Sequence, residues 1–430
     1  MNKSKIKPRI WIINQFANTP DVPGHIRQYE FGQFLVQQGC EVEVFASDYN
    51  LTQRKYRKLK FPQLWQKEDL KGLNWHWLYA TSYKVNNWQR YVNMLSFCIT
   101  FFFTGLFRPK PDLIIGSSPQ LLAAFTAWIV AKLRGSKFYL EVRDLWPQVL
   151  IELGGKSPDS LLVRLLANIE GLLYRNSDRV IVLASGSVDY VSKRGATQVS
   201  WLPNGPNTEQ FKVDLTPEQA KAKYQIDSER ICLMYTGAHG TANSLETIVE
   251  AARLLDKSDP HKFLIMLVGD GPEKNELIEQ AKGIESLEFR PPLPKQEIPQ
   301  LLQAADGLII TLKDISLFRY GVSPNKLYDY YAVGKPAIAA VGGAVNQEVE
   351  ENQLGFTAEP EDFQRLANAI LKLADTPAEE REKMGKRGQA LIDSTYSRTR
   401  VATKLWNLIQ EDLVNQEEIG AENNSPSKIQ

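Results

Sequence analysis

From residue 231 the chain reads ICLMYTGAHGTANSLETIVEAARLL, ending at residue 255. The apolar run Ile231 to Tyr235 is uninterrupted and β-compatible, which predicts a strand of a parallel sheet. Thr236-Gly237-Ala238-His239-Gly240-Thr241 then forms a glycine turn, and Ser244 to Leu255 has the apolar spacing of a helix. Strand, turn and helix in that order open a βαβ unit. Glycines at such a turn let backbone amides approach an anion, and the helix N-terminus behind them adds its positive dipole end. The turn is not a P-loop, because GxxxxGK[ST] is absent, and it lacks the full GxGxxG of a dinucleotide site.

The same alternation runs outward in both directions. Strands are expected at Arg9 to Asn14, Val42 to Ala46, Asn74 to Tyr79, Asp112 to Gly116, Lys137 to Val142, Arg179 to Leu183 and Gln198 to Leu202. After the strand at residue 231, others follow at Phe263 to Val268, Leu287 to Phe289, Gly307 to Thr311 and Pro336 to Ala340. Helix-compatible stretches separate them, so the expected class is α/β, with two doubly wound parallel-sheet domains. Pro203-Asn204-Gly205-Pro206 and a polar helix from about Pro217 mark the boundary. The expected organisation is residues 1–205 and 206–395 as the two domains, 396–414 as an amphipathic docking helix and 415–430 as a disordered tail.

With 430 residues, 43% hydrophobic, 27 Gly and 23 Pro, the composition is that of a folded globular protein of two or three domains. Cys40, Cys98 and Cys232 are far apart and lie in no Cys/His cluster, so neither disulfides nor a structural zinc is expected, and a reducing compartment is. No secretory signal is expected, because the N-terminal lysines lead into a strand. The stretch Tyr91 to Phe107 is broken by polar residues and reads as a packing helix, too short to span a membrane. Residues 1–110 hold 16 Lys and Arg against 7 Asp and Glu, whereas the remainder holds 35 against 43. Arg54, Lys55, Arg57, Lys58 and Lys60 lie near Tyr56, Phe61, Trp65, Trp75 and Trp77. That combination suits nucleic acid, an anionic bilayer surface or an ordinary solvated loop.

A second candidate site is VSPNKLYDYYAVGKP, residues 322–336. Pro324 suits the first turn of a helix, Lys326 sits early in it, and Asp329 lies one turn after Asn325. A cation beside a helix N-terminus suits a diphosphate, and a carboxylate one turn along can accept hydrogen bonds from ribose hydroxyls. The plain alternative is an exposed ion pair between Lys326 and Asp329. Val268-Gly269-Asp270-Gly271-Pro272 reads first as a tight turn.

Together these segments resemble glycosyltransferase family four, most closely the bacterial subgroup that adds amino sugars of the N-acetylfucosamine type in O-antigen and capsule synthesis. The match rests on Ser323-Pro324-Asn325-Lys326 with its following aromatic and acidic residues, Gly237 to Gly240, Gly269 to Pro272, the glycine-bearing loop Pro20 to Gln28, and Glu141-Val142-Arg143-Asp144-Leu145-Trp146-Pro147. Asp178-Arg179-Val180-Ile181 and Leu202-Pro203-Asn204-Gly205 agree too, so the resemblance spans about residues 9–410.

The resemblance implies a GT-B fold: two Rossmann-like domains facing across a cleft, the last helix crossing back to the first. It implies a retaining transferase that takes a sugar, an N-acetylated amino sugar, from a UDP-linked donor. The acceptor would be a polyprenyl-diphosphate-linked saccharide at the inner membrane face, placing the protein in the cytoplasm or peripherally on an anionic bilayer, with no nucleic-acid partner. Carried over by position, Asn204 and Gly205 would line the cleft. Gly237, His239 and Gly240 would approach the phosphates, with Ser323 and Asn325 beside them. Lys326 would neutralise the diphosphate, Asp329 would contact the ribose, and Arg290 the base or a phosphate. Gly24 and Arg27 would hold the acceptor, and His25, Arg143 and Asp144 would face the reacting centre, Asp144 positioning or deprotonating the acceptor.

No DxD-like acidic pair stands out in the donor half, so metal independence is expected, with no cofactor beyond the nucleotide sugar. Gly321 occupies the place where many members carry a glutamate, Ala238 and His239 replace a common arginine, and Arg143 stands at the acceptor-domain histidine. Gly321 keeps open a non-catalytic GT-B subunit that binds a glycan or a partner enzyme, and a GT-B sugar-nucleotide epimerase is a further alternative. A nicotinamide oxidoreductase is disfavoured, since the first strand runs into Asn14 to Gly24 without GxGxxG.

Overall fold

The computed structural model describes residues 7–22, 26–51, 53–60, 62–84 and 88–423, with side chains as far as 414. The chain divides into two compact units, residues 1–183, 188–202 and 402–430 in one, 184–187 and 203–401 in the other.

In the first unit the strands are β1 (Arg9–Ile13), β2 (Glu41–Ser47), β3 (Tyr49–Asn50), β4 (Lys55–Tyr56), β5 (Trp65–Leu70), β6 (Leu73–Leu78), β7 (Leu113–Ser117), β8 (Lys137–Val142), β9 (Arg179–Val182) and β10 (Val199–Trp201). Eight form a sheet in the order β10-β9-β8-β7-β1-β2-β6-β5, parallel except where β5 pairs antiparallel with β6. Every strand expected from apolar runs in this half is present. β5 and the small β3–β4 hairpin were not expected, because Trp65–Leu70 alternates polar and half-buried residues and owes its strand state to pairing with β6.

The second unit holds β11 (Ile231–Thr236), β12 (Phe263–Val268), β13 (Leu287–Arg290), β14 (Gly307–Thr311), β15 (Ala337–Ala340) and β16 (Gly355–Thr357). Their order, β13-β12-β11-β14-β15-β16, is all parallel and reverses direction between β11 and β14. This is the 3-2-1-4-5-6 Rossmann order, whose ligands bind beyond the strand C-termini at the reversal point. β11 and β12 are buried almost end to end, as their unbroken apolar sequence requires. β16 is a three-residue edge strand, too short to show in the sequence pattern.

The last helix, Arg398–Asn423, continues past residue 414, where a tail was expected. From residue 402 it belongs to the first unit. There the Arg179 guanidinium donates twice to the Asp412 carboxylate, at 2.9 Å each, and Lys404 donates to the Trp201 carbonyl. Leu405 and Ile409 are buried beneath.

The basic and aromatic cluster is corrected by the fold. Trp75 and Trp77 are β6 core residues, fully buried. Arg57 stacks 4.4 Å over the Trp77 ring and pairs with Asp21, and Lys58 pairs with Glu68. Trp75 and Trp77, committed to the core, cannot stack on bases, whereas Trp65 remains 39% exposed against His76 and Arg108, and Phe61 lies outside the described residues. Among the described residues, no helix is long and apolar enough to cross a membrane.

Candidate functional site

At the reversal point of the second sheet, β11 ends in Thr236 and the chain turns at Gly237 with φ +148°. A Cβ at Gly237 would stand 2.2 Å from the Lys326 Cε, so only glycine lets that side chain lie across the turn. The loop after β12 interlocks with it from beneath. A Cβ at Gly269 would stand 1.9 Å from the Gly237 carbonyl oxygen, and Gly237 N donates to the Val268 carbonyl. The glycines of residues 269–271 therefore support the first turn.

The helix Asn325–Val333 brings in the charges. Its N-cap is Pro324, one position earlier than the first-turn placement expected, and no side chain caps its leading amides. The Lys326 ammonium reaches the turn, donates to Asn243 Oδ1 at 2.8 Å and lies 4.8 Å above the Tyr235 ring. Among the described residues no carboxylate pairs with it, so the plain Lys326–Asp329 ion pair is not formed. Desolvation lowers its pKa to about 8. Asp329, one turn after Asn325, is pushed up to about 7 by burial, with Lys295 opposing. A cation and a carboxyl both crowded by protein, with no ion pair to each other, are groups that a bound anion and hydroxyls would satisfy.

Asn243 fixes the turn from below. Its amide nitrogen donates to the Ala238 carbonyl at 3.1 Å while its oxygen receives Lys326. Sequence reasoning missed it, because a turn asparagine carries no signal until the folded chain places Lys326 against it. Lys274 was missed likewise; it donates to the Gly269 and Arg290 carbonyls and locks the second loop.

Gly240 is open. A Cβ there would meet nothing within 4 Å, and its φ of −136° suits any residue. Gly240→Ala is expected to leave the thermal midpoint unchanged while weakening nucleotide binding about tenfold, the lower end of what one misplaced methyl costs in a fitted site. Titration calorimetry against UDP checks this, and equal affinity would place the phosphates elsewhere.

Three residues expected at the donor are buried or engaged within the protein. His239 is fully buried between the Tyr235 and Phe289 rings, with neither ring nitrogen hydrogen-bonded among the described residues. Desolvation, with Lys274 next, keeps it neutral by lowering its pKa, and its backbone is engaged too, the amide donating to the Asp270 carbonyl and the carbonyl accepting from the Glu273 amide. Arg290 is occupied by Glu288 at 2.6 Å and by the Tyr224 carbonyl, holding the end of β13. Gly205 serves packing: a Cβ would stand 1.6 Å from the Tyr396 carbonyl oxygen, and Arg398 donates to the Gly205 carbonyl.

Ser323 and Asn204 are brought together, the Asn204 amide donating to Ser323 Oγ at 3.1 Å, and Ser323 also bonds the Tyr328 hydroxyl. Asn325 is exposed at the helix start. Gly321, at φ +113°, would bring a Cβ within about 3.1 Å of Ala184 and Gly186. The missing glutamate is thus a matter of room, since residues 184–187 cross closely over this position.

The first sheet reverses between β1 and β7, and a buried polar network sits at the C-termini of those strands. Arg27 donates to Glu141 at 2.8 Å and to the Leu202 carbonyl. Gln28 and Ser117 donate to the other Glu141 oxygen, and Asn14 donates to Ser117. Burial works to raise the Glu141 carboxyl, but Arg27, Arg143 and the Ser117 hydroxyl outweigh it and hold it below the usual range. Arg27 is therefore engaged with Glu141 and the Leu202 carbonyl. The Arg143 amide donates to Ser118 Oγ. Asp144 beside it touches solvent yet is crowded by protein, which raises its carboxyl pKa against the pull of Arg143. Gly24 and His25 lie outside the described residues.

Two family profiles match this chain: glycosyl transferases group 1 over residues 217–391 and glycosyl transferase 4-like domain over residues 26–205. Each matched segment spans most of one unit. The chain is a family-four glycosyltransferase of the GT-B fold. This glycosyltransferase is 25% identical over 330 residues, 74% of its own length and 80% of the relative's, to WcaI of Escherichia coli (strain K12), provisionally assigned as a colanic acid biosynthesis glycosyl transferase. Among solved structures, sucrose-phosphate synthase from Thermosynechococcus elongatus superposes with a TM-score of 0.74 at 16% identity, covering 95% of this chain and all of that one. HepE from Anabaena, solved with UDP and glucose, has a TM-score of 0.66 at 15% identity, over 93% of this glycosyltransferase and 99% of HepE. At these identities the superpositions establish the fold.

Proposed function

We propose that the second unit binds a UDP-linked sugar, an N-acetylated amino sugar, and that the protein transfers it with retention to a lipid-linked saccharide in bacterial surface-polysaccharide synthesis. The carrying observation is Lys326: a desolvated ammonium laid over the Gly237 turn with no carboxylate partner among the described residues. UDP is favoured by the ligand in the HepE structure, and the polysaccharide pathway by the name of WcaI.

In the proposed reaction the acceptor hydroxyl oxygen bonds to the anomeric carbon as the bond from that carbon to the phosphate oxygen breaks. The hydroxyl proton passes to the departing diphosphate on the same face. Lys326, the turn amides of Ala238 and Gly240 and the helix N-terminus at Asn325 stabilise the charge that develops there. The cationic groups make the chemistry metal-independent in this proposal. Asp329 takes the ribose hydroxyls, and Asp144 positions the acceptor. A coupled assay with UDP-N-acetylhexosamines and a polyprenyl-diphosphate saccharide, run with and without EDTA, tests it: chelation-resistant product with retained anomeric configuration by NMR is expected. Turnover without any acceptor would instead identify an epimerase.

The two shifted groups give the donor site a pH signature. Asp329 binds ribose hydroxyls best when ionised, above about 7, and Lys326 binds diphosphate only when protonated, below about 8. Because kcat/KM reports the free enzyme, it should rise with pH to the first value and fall beyond the second. Asp329→Asn should remove the acid limb alone. A flat profile between pH 6 and 9, values bracketing those pKa shifts by about a unit, would count against both assignments.

A further inference from the structure

The helix Trp88–Leu106 has two unlike faces. Asn93, Phe97, Cys98, Phe101 and Gly105 pack inward, Gly105 against Val130 and Trp11. On the opposite side Trp88, Tyr91, Leu95, Ile99 and Phe103 succeed one another at three- and four-residue spacing, and Phe107 follows the helix end. All six are exposed, Trp88 by 68% and Phe107 by 86%. Single exposed apolar residues are ordinary, but a continuous stripe the length of a helix marks an interaction surface. Leu133, exposed at the end of the neighbouring helix Leu121–Arg134, widens it. Arg134 ties the two helix ends together by donating to the Leu106 and Arg108 carbonyls.

The segment that carries the stripe is strongly basic. Between Asp69 and Glu141 the chain holds eight Lys and Arg but a single acid, Asp112, whose carboxylate accepts from the Arg9 amide in the sheet. Lys84, Lys110 and Lys132 are exposed. Lys84 precedes the Trp88 end, and Lys110 and Lys132 accompany Phe107 and Leu133 at the other. An apolar ridge with aromatic ends and exposed lysines beside both ends is the composition of a helix lying in a bilayer interface, its cations against anionic headgroups.

We infer that this face seats in the headgroup region of an anionic phospholipid bilayer, with the helix axis along the membrane plane. The inference deepens the proposed function, resting on it for the purpose of the contact: a lipid-linked acceptor has to be met at the bilayer surface. Binding itself needs neither donor nor acceptor, so it is measured without them. The full chain should co-sediment with equimolar phosphatidylcholine–phosphatidylglycerol vesicles and much less with phosphatidylcholine alone.

The double substitution Ile99→Gln with Phe103→Gln should weaken that partition about tenfold, as loss of buried apolar area from an interfacial helix does. Lys110→Glu with Lys132→Glu should weaken it comparably and remove most of its salt dependence. The glutamine variant should keep the wild-type thermal response to UDP and wild-type turnover of a water-soluble acceptor, which separates failure of docking from failure of the transferase assignment. No wild-type partition onto the mixed vesicles, or partition unchanged in both variants, would overturn the inference. So would a wild-type dimer that the glutamine variant dissociates, since the stripe would then be covered by a second copy.

Discussion

Lys326→Ala is expected to lower kcat/KM about a thousandfold, the scale seen when a preorganised charge at a developing anion is removed. UDP binding should become undetectable by calorimetry while the thermal midpoint of the unliganded protein holds or rises. The second half of that expectation follows from linkage. Burial depresses the Lys326 pKa below its ordinary 10.5 to about 8, so at neutral pH the charged side chain is less favourable in the folded state than in the unfolded chain. Its contribution opposes folding below pH 8 and disappears as pH rises toward 10.5. Alanine removes that cost, leaving the Asn243 hydrogen bond and the contact over the Tyr235 ring to lose. Loss of function with stability retained is the mark of a residue held for a ligand. Unchanged UDP affinity would sink the donor-site assignment.

Arg27→Met should destabilise the first unit by about 3 kcal/mol at pH 7, because removing one partner of a buried pair leaves the other charge uncompensated. Glu141 is 3% exposed and keeps its Ser117 and Gln28 donors but loses the guanidinium at 2.8 Å. The sign of the pH dependence follows. In the native protein the Glu141 pKa is held below its usual 4.5, so the pair stabilises fully above that value and fades below it. In the variant, burial dominates and raises the carboxyl pKa, so acidification protonates it and removes the penalty. Urea unfolding at pH 7 and pH 5 should therefore show the gap between the two proteins shrinking at the lower pH. An equal gap at both would mean that Arg27 acts through its stacking on Phe31 at 4.3 Å and not through charge.

Periodicity and local chemistry carry information over a few residues, and what they reach is the βα framework. Unbroken apolar runs such as Phe263–Val268 can only be strands covered on both faces, and glycine turns after them lead into helices. The Lys326 and Asp329 placement was legible for the same reason, since helix geometry alone sets residues three and four apart on one side. β5 was invisible because its strand state comes from a partner, and β16 because three residues hold no period.

The division of labour within each motif belongs to the folded chain. From sequence, Gly237, Gly269, Gly205 and Gly240 look alike; approach distances to Lys326, Gly237, Tyr396 and empty space tell four roles apart. His239 and Arg290 have the chemistry of ligand contacts, yet one is sealed between aromatic rings and the other is held by Glu288. Trp75 and Trp77 suit a binding surface until β6 draws them into the core, whereas Tyr91 to Phe107 suits a buried helix until packing leaves one whole side of it uncovered. Burial is a property of neighbours distant in sequence, and so is any charge whose partner arrives from another strand. The residue types and their local spacing were therefore readable along the chain, while tertiary contact chose which polar groups are satisfied by protein and which are left for a ligand.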